Sequence, residues 1–219
     1  MTADPGTDSR EKYLLPIGSA GGTHVERGSR FIATVKECRS VADGLAVRDV
    51  ERRRLHDATH HVWAVRLADG TFRYDDDGEP KGTGGRTILT EIDSAGLVDV
   101  ACVVTRYFGG TKLGTGGLAR AYGLAAARAL ESVPKRQVRP GEIHHVTYGF
   151  EDTGAVARVL DLHGAIRDGD EYTEVVRTRI RIPVGAADHL QQVLQDATRG
   201  RASLDPESAP PAVWIAARA

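Results

Sequence analysis

Regular alternation of apolar and polar positions first appears at Phe31-Ile32-Ala33-Thr34-Val35, which reads as a strand within residues 25–38. Val41, Leu45, Val50 and Leu55 then recur among acids and arginines, the pattern of an amphipathic helix over 41–55. Two strand-like runs, 61–67 and 71–74, flank Ala68-Asp69-Gly70, and the Asp-Gly pair predicts a hairpin. Ile88, Leu89 and Ile92 share one face of a predicted helix over 87–95, with Gly96 as its cap. Residues 98–107 (VDVACVVTRY) form an unbroken apolar, β-rich run, as in a strand buried on both faces. A helix over 117–133 follows, carrying Leu118, Ala121, Tyr122 and Ala125 and ending at Pro134.

Residues 135–141 (KRQVRPG) read as a charged linker, which places a domain boundary there. Beyond it the pattern predicts strand 143–150, helix 152–162, strands 165–172 and 175–184, helix 186–198 and a last strand near Ala202 or Val213. That β-α-β-β-α-β order is the ferredoxin-like arrangement. The organisation expected is a loose tail at 1–11, one domain at 12–134 and a second at 142–219, an α+β chain overall.

Composition narrows the function classes. The 219 residues are 41% hydrophobic and 27% charged, enough for packed cores. No run of about 18 uncharged apolar residues occurs, and the polar start lacks the regions of a signal peptide, so a soluble cytoplasmic protein with no membrane partner is expected. Cys38 and Cys102 have no paired spacing, which predicts buried, reduced thiols rather than a disulfide framework or a zinc site. A formal net charge of -1 excludes polyanion binding by bulk attraction and leaves only a local basic face.

Two segments carry the candidate chemistry: 75–86 (DDDGEPKGTGGR) and 106–120 (RYFGGTKLGTGGLAR). Glycines let backbone amides approach a ligand, and successive amides can form an anion-binding concavity. The second segment also feeds a helix, whose N-terminal dipole favours negative charge. The candidate ligand-binding residues are Asp76, Asp77, Glu79, Lys81, Thr83 and Arg86 in the first segment, and Arg106, Tyr107, Phe108, Lys112, Thr115 and Arg120 in the second. The expectation is that the two loops meet as one pocket of free amides and cationic side chains. The alternative is that the glycines serve turns and packing while the charges are solvated.

Nucleotide signatures fail. Gly114 to Ala119 fits G-x-G-x-x-A, but residues 106–113 separate it from the strand, and Thr115 stands where a Walker A loop needs lysine. Pro80 breaks an EF-hand reading of the acidic run. His56 and His60 have the spacing of a zinc peptidase pair, with Asp57 in place of its glutamate and a strand beginning at Thr59. No G-x-S-x-G elbow occurs. No catalytic residue, resident metal or cofactor is assigned. In the second half, Arg158 and Arg167 are scattered, while Arg177, Arg179 and Arg181 share one strand face, read as a solvated sheet surface ahead of a nucleic-acid contact.

The motifs His56-Asp57-Ala58-Thr59-His60, Asp76-Asp77-Gly78-Glu79-Pro80 with Gly82-Thr83, and Arg106-Tyr107-Phe108-Gly109-Gly110 through Lys112-Leu113-Gly114-Thr115-Gly116-Gly117 to Arg120-Ala121-Tyr122 resemble the IMPACT/YigZ family. The match runs in order across residues 20–133, and the layout is similar to bacterial members. The resemblance implies a ribosomal protein S5 domain 2-like fold for the first domain and a ferredoxin-like second domain similar to one near the end of translocation elongation factors. Eukaryotic members of this family regulate translation under amino-acid stress by competing for a ribosome-associated activator of a kinase, whereas bacterial members have no established activity. Some relatives carry a proline-dipeptidase label, which the residues here do not support with a complete metal or nucleophile set. Lys81, Gly84 and Arg86-Thr87 depart from the family pattern and add charge and flexibility beside the acidic run. The leading expectation is a non-catalytic, translation-associated protein that binds RNA or a ribosomal surface. The alternatives are a module competing for a regulatory protein's docking site and a metal-dependent hydrolase.

Overall fold

The computed structural model describes residues 12–208 and 213–216; the tail expected at 1–11 lies outside them. The chain divides into two compact units, the first covering Tyr13–Gln137 and the second beginning at Val138. Both are mixed α and β with antiparallel sheets.

The first unit runs β1 (Tyr13–Pro16), β2 (Ser19–Glu26), β3 (Ser29–Glu37), α1 (Val41–Arg54), β4 (His60–Arg66), β5 (Phe72–Asp75), α2 (Gly85–Ser94), β6 (Val100–Tyr107) and α3 (Gly114–Ser132). Its sheet has the order β2-β3-β6-β4-β5. Alternation along the strands sorts side chains to two cores. Phe31, Val62, Ala64, Cys102 and Val104 meet α2 and α3 on one face, while Trp63, Val65, Ala101 and Val103 meet α1 on the other. Central β6 is therefore buried from Val100 to Arg106, as its unbroken apolar run predicts. Ser40 caps α1, its Oγ accepting from the Asp43 amide at 3.0 Å, and three arginines in the last turn complement the helix dipole.

Strand β2 alternates between exposed and half-buried positions, but its sequence SAGGTHVE shows no apolar period because it is shaped by what it lies on. A Cβ at Gly22 would sit 2.6 Å from the Ala129 amide nitrogen. The alanine stripe of α3, Ala121, Ala125, Ala126 and Ala129, lets that helix approach the sheet closely.

The second unit contains β7 (Lys135–Tyr148) from Val138 onward, α4 (Thr153–Leu162), β8 (Ile166–Tyr172), β9 (Val176–Pro183), α5 (Ala187–Thr198), β10 (Ser203–Pro206) and β11 (Val213–Ala216). Its strands pair in the order β10-β7-β9-β8, with β11 on the earlier part of β7. Val146, Tyr148, Val176, Ile180 and Ile182 pack against Val156, Leu160, Leu190 and Leu194 of the two helices. Residues 135–141, read from sequence as a linker, belong to strand β7. Pairing of Gly141 with both Pro183 and Val213 supplies partners that outweigh the local Pro-Gly signal. Both segments proposed for the last strand pair with β7.

Cys38 and Cys102 are free and buried, and burial pushes both thiols up to about 12. Among the described residues, no helix is long and apolar enough to cross a membrane. Arg179 and Arg181 hold Asp168, and Arg179 also holds Glu207 at 2.7 Å, so that part of the arginine face is neutralised within the sheet. Gly22→Val should lower unfolding free energy by about 1–3 kcal/mol in urea titration, because the α3 backbone cannot retreat from the added methyls; wild-type stability would refute this packing.

Candidate functional site

The first glycine segment is organised around a carboxylate. After β5 the chain turns through left-handed Asp77 (φ +44°) and Gly78 (φ +86°). Asp76 Oδ2 accepts from the Gly82 amide at 2.7 Å, and Oδ1 accepts from the Gly84 and Gly85 amides at 3.0 and 2.8 Å. Gly84, at the N-cap of α2, has no side chain to do this, and Asp76 supplies the negative charge from eight residues upstream. Those amides are thus engaged within the loop, which corrects the expectation that they stand open to a ligand. Asp77 is also a fastener: its Oδ2 accepts from the His61 amide at 2.7 Å, and its side chain pairs with Arg52. Thr83 is buried and donates to the Pro80 carbonyl.

Glu79 joins this loop to the rest of the unit. Only 9% exposed, its Oε1 accepts from Arg106 Nη1 at 2.6 Å and from the Tyr122 hydroxyl at 2.8 Å. Burial first, and then the Glu79 charge, raise the Tyr122 phenol well above its ordinary range. His60 lies beside this cluster with Nε2 3.7 Å from Glu79 Oε1. Its Nδ1 is 2.7 Å from the Asp77 carbonyl oxygen, which can only accept, so Nδ1 carries the proton. Arg106 is 5% exposed, with its guanidinium 5.5 Å from the ring centres of both Phe31 and Phe108. It closes the core instead of offering charge at the surface, a second correction to the set of exposed cations.

The second segment leaves β6 under firm backbone control. The Phe108 amide donates to Thr59 Oγ1 at 3.2 Å and the Gly109 amide to Ser29 Oγ at 3.1 Å. Gly109 packs so closely on Gly28 that a Cβ would collide with its carbonyl carbon. Tyr107 is committed: its hydroxyl donates to Asp57 Oδ1 at 2.7 Å and Arg30 covers its ring at 4.7 Å. That bond raises the tyrosine and lowers the aspartate from their ordinary values. Beyond Gly109 the picture changes. Phe108, Lys112, Thr115 and Arg120 are exposed, as are Lys81 and Arg86 of the first segment. Among the described residues no carboxylate pairs with any of these four cations. Helix α3 opens on glycines with no side-chain cap and no acid in its first turn.

These geometries sit inside a region with known relatives. A family model described as the Impact N-terminal domain matches residues 27–130, which spans Ser29, both glycine segments and Tyr122. The chain is 38% identical over 174 residues to "IMPACT family member in pol 5'region" of Thermus thermophilus, covering 79% of this chain and 95% of that one. This chain belongs to the IMPACT family. It is also 30% identical over 199 residues to the IMPACT family member YigZ of Escherichia coli K12, covering 89% and 97% of the two chains. A crystal structure of a hypothetical protein aligns with TM-score 0.66 and 26% identity across 91% of this chain and 99% of that one.

Sequence reasoning on this IMPACT-family chain missed Ser29, Asp57 and Arg30 as partners of the second segment, since pairs separated by 50 to 80 residues have no local signal. Helix α1 ends in three arginines, of which Arg52 and Arg54 are paired with Asp77 and Glu51, and Arg53 is exposed. Among the described residues no three of His, Cys, Asp and Glu come together as a metal-binding group, so His56 and His60 do not build the centre their spacing suggested.

Two outcomes test this cluster. Arg106→Met or Glu79→Leu alone should each cost about 3–5 kcal/mol, because either leaves a buried charge unpaired, while the double variant should cost clearly less than their sum; additive losses would show the pair to be uncoupled. His61 is buried, its Nδ1 3.1 Å from Thr105 Oγ1, and burial holds its imidazole below the ordinary 6.5. The unfolded chain then takes up a proton that the folded chain resists, so this contribution to stability is intact above pH about 6.5 and declines as pH falls below it. Melting temperatures between pH about 7.5 and 5.5 should fall less in His61→Asn than in wild type.

Proposed function

We propose that this protein is a non-catalytic RNA-binding protein that acts on RNA or an RNA-bearing ribosomal surface in the cytoplasm. The contact surface is the outer part of the second glycine segment with the start of α3. The observation that carries this reading is the sorting of charge. Arg106 and Asp76 are consumed internally, whereas Lys112 and Arg120 remain exposed and unpaired beside a helix start that carries no acid. Cations and free amides on a fixed frame favour phosphate oxygens. Lys81 and Arg86 add to the same electrostatic character from the first segment.

The strand orders support the finer fold reading as well, an S5 domain 2-like first unit and a ferredoxin-like second one, folds for which RNA contact and translation are a coherent setting. The near-neutral net charge favours a second reading, docking on a regulatory protein of the translation machinery. Metal-dependent hydrolysis has no support in the grouping of the described side chains.

Filter binding of an unstructured RNA oligonucleotide at low salt tests the leading reading. Wild type should be retained, and the paired change Lys112→Ala with Arg120→Ala should weaken binding and flatten the logarithmic salt slope by about 1.4, the loss of two single-strand phosphate contacts. Absence of retention, or retention unchanged in the variant, would overturn it. Partners captured equally from nuclease-treated lysate would favour protein docking.

A further inference from the structure

We infer that Phe108 is a base-stacking platform and that the ligand of this surface is single-stranded RNA presenting an unpaired base. This rests on the RNA reading above and specifies its substrate class.

The side chain is 49% exposed, yet nothing about its position is loose. Its own amide is held by Thr59 and the next amide by Ser29. One side of the ring lies against the Arg106 guanidinium, which lies in turn against Phe31, and Phe31 meets Tyr122 edge-on with ring centres 5.0 Å apart. Phe108, Arg106, Phe31 and Tyr122 thus form a column that rises from the core and ends at the surface in an aromatic ring. Glu79 anchors the column by binding both Arg106 and Tyr122. With the Arg106 guanidinium over its ring, Phe108 still leaves about half of its surface to solvent.

The residues that follow add no bulk. Gly109 and Gly110 follow with no side chains, and even a Cβ at Gly110 would meet nothing within 4 Å. Tyr107 cannot share the role, since Arg30 covers its ring and Asp57 holds its hydroxyl. An aromatic ring so held, four residues before the exposed Lys112, offers a base its π-surface and the chain a cation for an adjoining phosphate, the combination by which single strands are held without sequence readout. Bases inside a duplex are already stacked on both sides and cannot use it.

Three probes separate stacking from charge: oligouridylate, a blunt RNA duplex of equal length, and inorganic polyphosphate, which has no bases. Wild type should bind oligouridylate more tightly than the duplex at equal salt. Phe108→Ala and Phe108→Leu should each lose about tenfold on oligouridylate and none on polyphosphate, while Phe108→Tyr should retain affinity. Phe108→Trp supplies a direct optical readout, its emission quenched by oligouridylate and not by polyphosphate. Unchanged oligouridylate affinity in Phe108→Leu, or an unquenched tryptophan in a chain that binds, overturns the platform. If the Lys112 and Arg120 changes still weaken binding in that case, the RNA reading stands and only the stacking role falls. Failure of every polymer to bind wild type at low salt removes both.

Discussion

A single buried carboxylate holds the candidate site in shape. Glu79 comes from a glycine-rich loop with little apolar content, and such a segment has few contacts of its own to fix it. By accepting from Arg106 and Tyr122, it ties that loop to the end of β6 and to α3. The arrangement is stable because the partners arrive on rigid elements and because burial strengthens the attraction while forbidding any member to stand alone. The position of Phe108 depends on the same bond, since the ring leans on the guanidinium that Glu79 orients.

That one pairing also decides which charges the molecule can offer. Taken as a list, the two segments hold five cations, and all four acids beside them lie in the first. Arg106 is spent in the core, leaving Lys81, Arg86, Lys112 and Arg120 outside. Four exposed cations without a carboxylate partner, on a chain of net charge -1, act only at short range in physiological salt. In the proposed RNA-binding role, a second, non-ionic contribution would come from the exposed, braced ring of Phe108.

Much of the fold was legible because burial imposes a period on sequence. Strand β6 announced itself by an apolar run covered on both faces, and α2 by Ile88, Leu89 and Ile92 on one. Strand β2 did not, since the position its pleat turns toward α3 at Gly22 must be glycine, which removes the apolar signal that inward position would otherwise give. The start of β7 was hidden for a related reason: KRQVRPG has linker composition, and its later part, Val138 to Gly141, is held in the sheet by distant β11, with Gly141 also on β9. Within the site, the residues that mattered were visible, but their roles were not. Arg106 reads as a surface cation and Tyr107 as a free aromatic until Glu79 and Asp57, 27 residues before the one and 50 before the other, are seen to claim them.

The glycine loops carry this lesson furthest. Both present the same sequence features, consecutive glycines before a helix, and the same physics favours an anion at each. At α2 the anion is already in the chain, because Asp76 lies close enough upstream to reach three amides. At α3 the residues just upstream are Gly109, Gly110, Thr111, Lys112 and Leu113, which include no acid. The difference between a helix start satisfied from within and one that has no acid of its own is therefore set by the reach of one carboxylate. Glycine content alone measures only how close an anion can come. Selection among anions falls to nearby side chains, and the exposed cations in and just before α3 are Lys112 and Arg120.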